Sequence, residues 1–359
     1  MEYLNGFDIA HFQQCVLAWY QQCGRVDLPW RNLARNGSQS YEVYVSEMML
    51  QQTQVTRVLH HYYFPFLRKF PTLISLANAK QEEVLKIWEG LGYYARARNM
   101  QKCARFCVQH YNGNLPSEST ELQKLSGIGA YSAGAIACFG FGKRVGFVDS
   151  NITRIFCRLF TLQEPRAKQL FHLANTLLPT HYYFEYNQSL LDLGALICVK
   201  KPKCLICPLV ALCMGKDSPH LYPYKKQPTR EFLHLYLFNI VFRQAKDIHI
   251  ALQKSDNTLY FGLYNLPQSQ NSAQILTHST KVGLTPKHIG TFTHNYTKYA
   301  IKAEVYMLEC KNLSQAQDAL ECIGIKDSKN IGFFTQKELS TLPLSTLAKK
   351  ALHFLPSIA

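Results

Sequence analysis

The sequence predicts a chain in two parts, a mainly helical region followed by an α+β domain. Three observations predict it. Apolar residues recur at helical spacing from about residue 8 to 225. Four cysteines crowd into residues 198–213 with the spacing C-x5-C-x2-C-x5-C. Past Glu231 the texture changes to short β-rich runs. We place the first domain at 1–220, a linker at 221–230 and the second domain at 231–359.

The segment 41–62 carries Val45, Met48, Met49, Val55 and Leu59 at helical spacing. Further helices are expected at 80–90, 96–111, 130–140, 150–160, 167–178 and 184–197. Pro71, Asn112-Gly113-Asn114 and Leu115-Pro116 punctuate them. After the cysteines, SPHLYPYKKQPTRE is rich in Pro, Lys and Tyr and reads as an extended linker. The runs FLHLYLFNIVFRQ, IHIALQK, TLYFGLYNLPQ and KYAIKAEVYMLEC alternate in part between turn residues, which predicts strands.

With 359 residues, 47% of them hydrophobic, each part can bury its own core without disulfides. The net charge of +15 and the pI near 9.2 favour polyanionic partners, of which nucleic acid is the commonest. The opening MEYLNGFDIAHFQQC has Glu2, Asp8 and no continuous apolar core, so neither a secretory signal nor a transit peptide is expected. No stretch reaches the roughly 18 apolar residues of a membrane span. The remaining cysteines are scattered without pairing logic, which suits a reducing compartment, and the cytoplasm is expected.

The cluster Cys198, Cys204, Cys207 and Cys213 suits a metal or an iron–sulfur centre. Structural zinc usually takes two close cysteine pairs, and here only Cys204 and Cys207 form one. A single loop wrapping a compact core fits four thiolates around a [4Fe–4S] cluster better, with zinc as the alternative. In LQKLSGIGAYSAGAI, Gly127-Ile128-Gly129 is a tight hairpin running into a helix of small residues. Glycines there allow a sharp turn and a close approach, and the amides at the helix start can bind phosphate. Asp149, about twenty residues on, precedes a helix and suits either an N-cap or a functional carboxylate. Glu47 sits among apolar and amide residues; at about 100° per residue it lies near Leu50, Gln51, Gln54 and Val58. Such a setting raises a carboxyl pKa and keeps a proton available for donation, whereas a solvent-facing glutamate would do neither.

Six motifs in order, SEMMLQQTQV, WEGLGYYARARN, LSGIGAYSAGAI, VDSNITR, NQSLLDLGALIC and the cysteine loop, resemble the MutY adenine DNA glycosylases. These belong to the helix–hairpin–helix superfamily that includes endonuclease III. The resemblance covers about 25–215 strongly and the rest through short fragments. It implies a mainly α catalytic region with a helix–hairpin–helix at about 119–139 and an Fe–S cluster loop, followed by a Nudix-like domain. It also implies monofunctional hydrolysis of the N-glycosidic bond of adenine mispaired with 8-oxoguanine or guanine in double-stranded DNA, by a monomer associated with the nucleoid in a prokaryote. Matched position by position, Glu47 takes the place of the general acid and Asp149 that of the carboxylate that stabilises an oxocarbenium-like sugar. Tyr131 stands where relatives with β-lyase activity carry lysine, and a phenol forms no Schiff base. Gln52 and Tyr93 match residues that wedge into the duplex; Gln188 and Arg31 match residues around the flipped adenine. Gly127 and Gly129 form the backbone-gripping hairpin.

GLYNLPQ and Phe292-Thr293-His294 resemble fragments of the domain that reads 8-oxoguanine, with Thr293 where serine is usual. No Nudix-box glutamate cluster follows Gly262, so nucleotide hydrolysis is not expected. The gap from Cys198 to Cys204 is one residue shorter than the family's usual C-x6-C. Two other readings compete: an endonuclease III-like pyrimidine-lesion glycosylase/AP lyase, and a non-catalytic DNA-binding scaffold.

Overall fold

The computed structural model describes residues 4–224, 230–256, 260–270, 283–296, 299–325 and 330–355. Part of the expected linker, residues 225–229, lies outside the described residues. The chain divides into two units, Met1–Asn78 with Asn99–Lys226, and Ala79–Arg98 with Gln227–Ala359. Residues 79–98, which the sequence reading assigns to the helical domain, thus group with the second unit. Helical periodicity marks the helix there but not the distant residues, Lys254, Leu342 and Lys349 among them, that this stretch meets.

The first unit is helical. Its elements are α1 (Ile9–Cys23), α2 (Ser40–Leu50), α3 (Val55–His61), α4 (Tyr63–Lys69) and α5 (Leu73–Asn78). After α6 (Gln81–Ile87) of the second unit come α7 (Ala95–His110), α8 (Ser119–Leu122), α9 (Ala130–Phe141), α10 (Ser150–Leu159), α11 (Ala167–Thr176) and α12 (Tyr183–Leu196). One core joins Phe12 and Val16 of α1, Ala135 and Phe139 of α9, Ile155 and Phe156 of α10, and Leu190 and Leu193 of α12.

The expected helix over 41–62 is interrupted. α2 ends at Leu50 and α3 starts at Val55, with Gln52 in the left-handed region at φ 56°. Local polar groups compete for the backbone at this point. The Thr53 hydroxyl donates to the Gln51 carbonyl (3.3 Å), and the Gln51 amide donates to Ser132 Oγ (2.9 Å). Apolar spacing continues through the break, so periodicity alone does not reveal it.

Small residues let α9 sit deep. A Cβ on Gly140 would stand 3.2 Å from Ser40 Cα, and one on Gly134 would stand 2.7 Å from Phe147 Cβ. Asp149 caps α10 by accepting from the Ile152 amide (2.7 Å). Further along α10, the buried Arg158 donates to the carbonyls of Val199 (2.7 Å) and Lys200 (3.1 Å) and lies 3.3 Å from Cys198 Sγ. α10 therefore carries Asp149 at one end and grips the cysteine loop near the other.

The second unit contains a seven-stranded sheet: β1 (Glu231–Gln244), β2 (Asp247–Lys254), β3 (Tyr264–Asn265), β4 (Gln268–Ser269), β5 (Lys287–Tyr296), β6 (Tyr299–Cys310) and β7 (Ile331–Thr335). The order is β3-β2-β1-β6-β5, with β4 on β1 and β7 on β2. β1 and β6 run parallel; the other pairs are antiparallel. α13 (Leu313–Cys322) covers one face, placing Ala316, Ala319 and Leu320 against Phe238, Ile240, Phe242 and Leu308. α14 (Gln336–Leu339) and α15 (Thr346–Leu352) complete the unit. Among the described residues, no helix is long and apolar enough to cross a membrane.

The hairpin before α9 turns on Gly127 at φ +81°, where an added Cβ would lie 2.6 Å from Asn99 Cβ. Gly127→Ala combines a left-handed backbone with a clash, so it is expected to destabilise the protein by about 1–3 kcal/mol. Urea denaturation monitored through helical ellipticity checks this. A midpoint equal to wild type would contradict it.

Candidate active site

A cavity of about 420 Å³ in the first unit gathers Arg31, Glu47, Tyr131, Asp149 and Gln188 on one wall system. Leu28, Trp30, Leu50, Val55 and Leu191 supply much of its apolar lining. Four of these side chains arrive on different elements. Glu47 comes from the last turn of α2, Tyr131 from the start of α9, Asp149 from the N-cap of α10 and Gln188 from α12.

Glu47 is 5% exposed, because residues 43–49 of α2 are all buried and the helix has no solvent face there. Burial pushes its carboxyl up to about 7; Tyr131 and Arg31 oppose the rise, and the Asp149 charge adds to it. The Tyr131 hydroxyl donates to Glu47 Oε2 at 3.0 Å. Burial and the neighbouring carboxylates keep that phenol protonated, so it acts as a donor. The oxygen that accepts from Tyr131 is the poorer seat for a proton, which leaves Oε1 to carry it.

Asp149 is in a second, different environment. Burial raises its pKa, but the amides of Ile152 and Asn151 hydrogen-bond the carboxylate and work against the rise. The N-cap role and the cavity role coexist: one oxygen is held by the start of α10, and the residue lines the cavity. The positive end of the helix favours the ionised form further.

Sequence reasoning did not single out Asp192, Arg25 or Asn151. Asp192 is fully buried one turn after Gln188 on α12. Arg31 donates to it through Nη1 (2.7 Å) and Nη2 (2.6 Å), and Arg25 through Nε (2.8 Å) and its backbone amide (2.8 Å). Burial raises the Asp192 carboxyl, but these hydrogen bonds and charges outweigh it and hold the pKa below the ordinary value. The ion pair consumes much of the field of Arg31, and Glu47 stays a weak acid despite a guanidinium in the same cavity. A lone aspartate inside the apolar run SLLDLGAL was the available signal.

The remaining sequence candidates fall elsewhere. Gly129 caps α9, and a Cβ there would meet nothing within 4 Å, so the hairpin crest is open to a ligand. Gln52 and Tyr93 are exposed and share left-handed backbones, φ 56° and 48°. In the second unit, Tyr93, Tyr260, His294 and Tyr296 line a cavity of about 210 Å³. Thr293 is exposed on β5, and its carbonyl accepts from Lys350 (3.0 Å). All four loop cysteines line one small cavity, of about 30 Å³, together with Arg158, Lys203 and Lys216. Among the described residues, no three His, Cys, Asp or Glu side chains are grouped to hold a single metal ion.

Residues 45–180 match the family model of the HhH-GPD superfamily of base excision DNA repair proteins. The chain is 37% identical over 251 residues to an adenine DNA glycosylase of Buchnera aphidicola subsp. Baizongia pistaciae, covering 66% of this chain and 69% of that protein. The chain belongs to the MutY family of adenine DNA glycosylases. An adenine DNA glycosylase of Homo sapiens is 40% identical over 58% of this chain, which spans only 40% of that longer relative. Among solved structures, a thermostable thymine-DNA glycosylase superposes with a TM-score of 0.53 at 28% identity, over 58% of this chain and 96% of that one. An endonuclease III–DNA complex, at 22% identity and TM-score 0.51, shares the fold over 58% of this chain and 97% of that one.

In this MutY-family protein the raised Glu47 pKa has a consequence for stability. Between about pH 4.5 and 7 the unfolded glutamate ionises while the folded one keeps its proton, so stability falls as pH rises through that window. The loss is on the order of 3 kcal/mol at most. Glu47→Gln does not titrate. Its stability relative to wild type is therefore expected to improve steadily from pH 4.5 to 7 and then level off. Denaturant melts at several pH values check this, and a pH-independent difference would contradict it.

Proposed function

We propose that this chain hydrolyses the N-glycosidic bond of adenine mispaired with 8-oxoguanine or guanine in duplex DNA. One observation carries the reading: a buried carboxyl with a pKa near 7 shares a cavity with a second carboxyl stabilised at a helix N-terminus. Two carboxyl groups in different protonation states are what cleavage of a sugar–base bond through an oxocarbenium-like state requires.

The roles follow from the environments. The base leaves the stack, at a cost of roughly a few kcal/mol, and enters the cavity. Gln188 and Arg31, which Asp192 holds from behind, line the part of the wall available to its polar edge. Glu47 gives its proton to the adenine ring, turning a poor leaving group into a neutral one. Tyr131 holds Glu47 Oε2 and so fixes the orientation of the acid. As the bond lengthens, positive charge develops on the sugar, and Asp149 stabilises it. Water then adds to the sugar carbon and releases a proton, which restores the Glu47 acid. Gln52 and Tyr93 act as wedges on exposed left-handed turns; Gly127 and Gly129 grip phosphate at the α9 start; Thr293 reads the opposite base. A monomer working on double-stranded DNA in the cytoplasm, on the nucleoid of a prokaryote, fits the basic charge and the expected compartment.

Glu47→Gln is expected to lower single-turnover adenine release by ~10²–10⁴-fold while the duplex still binds. The rate for wild type should fall above about pH 7, where Glu47 ionises. Equal activity in the variant would overturn the assignment of the acid and favour the non-catalytic reading. With Tyr131 in the lyase position, borohydride should trap little enzyme–DNA adduct. High-yield trapping would favour the endonuclease III-like lyase reading instead.

The donor set fits a [4Fe–4S] cluster. Four thiols line one cavity, with Arg158 beside Cys198 to offset thiolate charge. Cys198, Cys204, Cys207 and Cys213 would hold it. When bound, the cluster would order the loop that bears Lys200, Lys201 and Lys203, and these lysines face solvent and suit DNA phosphate. Metal analysis of anaerobically purified protein is expected to give iron at cluster stoichiometry, lost together with DNA affinity in Cys207→Ser. Stoichiometric zinc without iron would overturn this.

A further inference from the structure

Glu89 sits between α6 and the loop that presents Tyr93, and its side chain is only 10% exposed. Its Oε1 accepts from the Leu344 amide at 2.8 Å. Its Oε2 pairs with Lys349 at 3.0 Å and with Lys86 at 3.1 Å. Lys86 in turn donates to the Leu342 carbonyl at 2.9 Å. Leu344 bridges to Tyr264 of β3, and the Ser345 amide beside it donates to the Tyr264 carbonyl at 3.0 Å. A charge-assisted network thus ties α6 to the segment that precedes α15. Lys254–Glu82 (2.6 Å) and Arg98 Nη1 to the Phe261 carbonyl (2.9 Å) extend it at the two ends of the stretch.

The loop held in this way is also hydrogen-bonded within itself. The Gly92 carbonyl accepts from both Trp88 Nε1 (3.0 Å) and Arg96 Nη2 (3.2 Å), and the Gly90 amide donates to the Tyr94 hydroxyl (3.0 Å). Gly90 and Gly92 have positive φ, and Tyr93 follows them in the left-handed region, 46% exposed. The Arg96 guanidinium lies 5.4 Å from both the Trp88 and the Tyr93 ring centroids. A strained, solvent-exposed ring keeps one direction only when its surroundings over-determine it. Within the loop those surroundings are the two bonds to Gly92; at its base they are the Glu89 contacts.

We propose that Glu89, through Leu344 and Lys349, is a positioning residue for Tyr93. It fixes the wedge to the lesion-reading unit, so that engaging the DNA partner base and inserting the wedge are one event. The inference rests on the reading of Tyr93 as a wedge. Glu89 touches neither the cavity around Glu47 nor any reacting atom.

The test is a double-mutant cycle on the full chain. The probe is a duplex carrying 8-oxoguanine opposite a 2′-fluoro-adenosine that resists hydrolysis, compared with the same duplex fully paired. Glu89→Gln is expected to lower the binding preference for the mispair roughly 5- to 20-fold, the usual range for coupled sites. The maximal single-turnover release rate on saturating cleavable duplex should be unchanged. Lys349→Met, which leaves the bond to Leu344 in place, should give a smaller loss of the same kind. In a Tyr93→Ala background neither change should cost anything more. An equal loss in that background, or no loss with Tyr93 present, overturns the inference. If Tyr93→Ala alone leaves the preference intact, the wedge reading fails and this inference fails with it. Failure of wild type to release adenine is a separate result and counts against the proposed function.

Discussion

A carboxylic acid that keeps its proton near neutral pH is the constraint around which the first unit is arranged. Water would ionise Glu47, so α2 must lose its solvent face, and residues 43–49 are buried. A nearby cation would also ionise it, yet Arg31 lines the same cavity. Asp192 resolves the conflict by taking both Arg31 and Arg25 into a buried, multiply hydrogen-bonded pair. An isolated buried charge would be costly, whereas a fully paired one is tolerated. The acid, its orienting phenol and the neutralised arginine form a single electrostatic arrangement in which each part sets the state of the next.

Asp149 shows the complementary device. It sits in the same cavity but is tied to the first amides of α10, so backbone dipoles oppose the effect of burial. The same helix reaches the cysteine loop through Arg158. α10 thus serves two ends at once, because Arg158 holds carbonyls in the gap between Cys198 and Cys204. The backbone of the loop is fixed from the side, and its four thiols line one cavity.

Much of this was legible in the residues. Glu47, Asp149, Tyr131, Arg31 and Gln188 were all singled out from motifs, and all five line one cavity. Motifs preserve residue type and order, and chemistry constrains both. The break at Gln51–Gln54 was not legible, because apolar spacing runs through it while side-chain hydrogen bonds end the helix. Nor was the grouping of 79–98 with the second unit, which depends on ion pairs between residues more than 150 positions apart. Asp192 was visible only as an odd polar residue in an apolar helix.

By itself the sequence determined the helical and α+β parts, the spacing of the four cysteines, the hairpin and the side chains that meet in the cavity. These are matters of local periodicity, turn chemistry and functional-group identity, which act over a few residues. Only the tertiary structure brought Glu47 and Asp149 into one cavity, paired Arg31 with Asp192 and grouped Tyr93 with the second unit. Those outcomes depend on burial and on charges brought together from distant parts of the chain, and neither has a local signature.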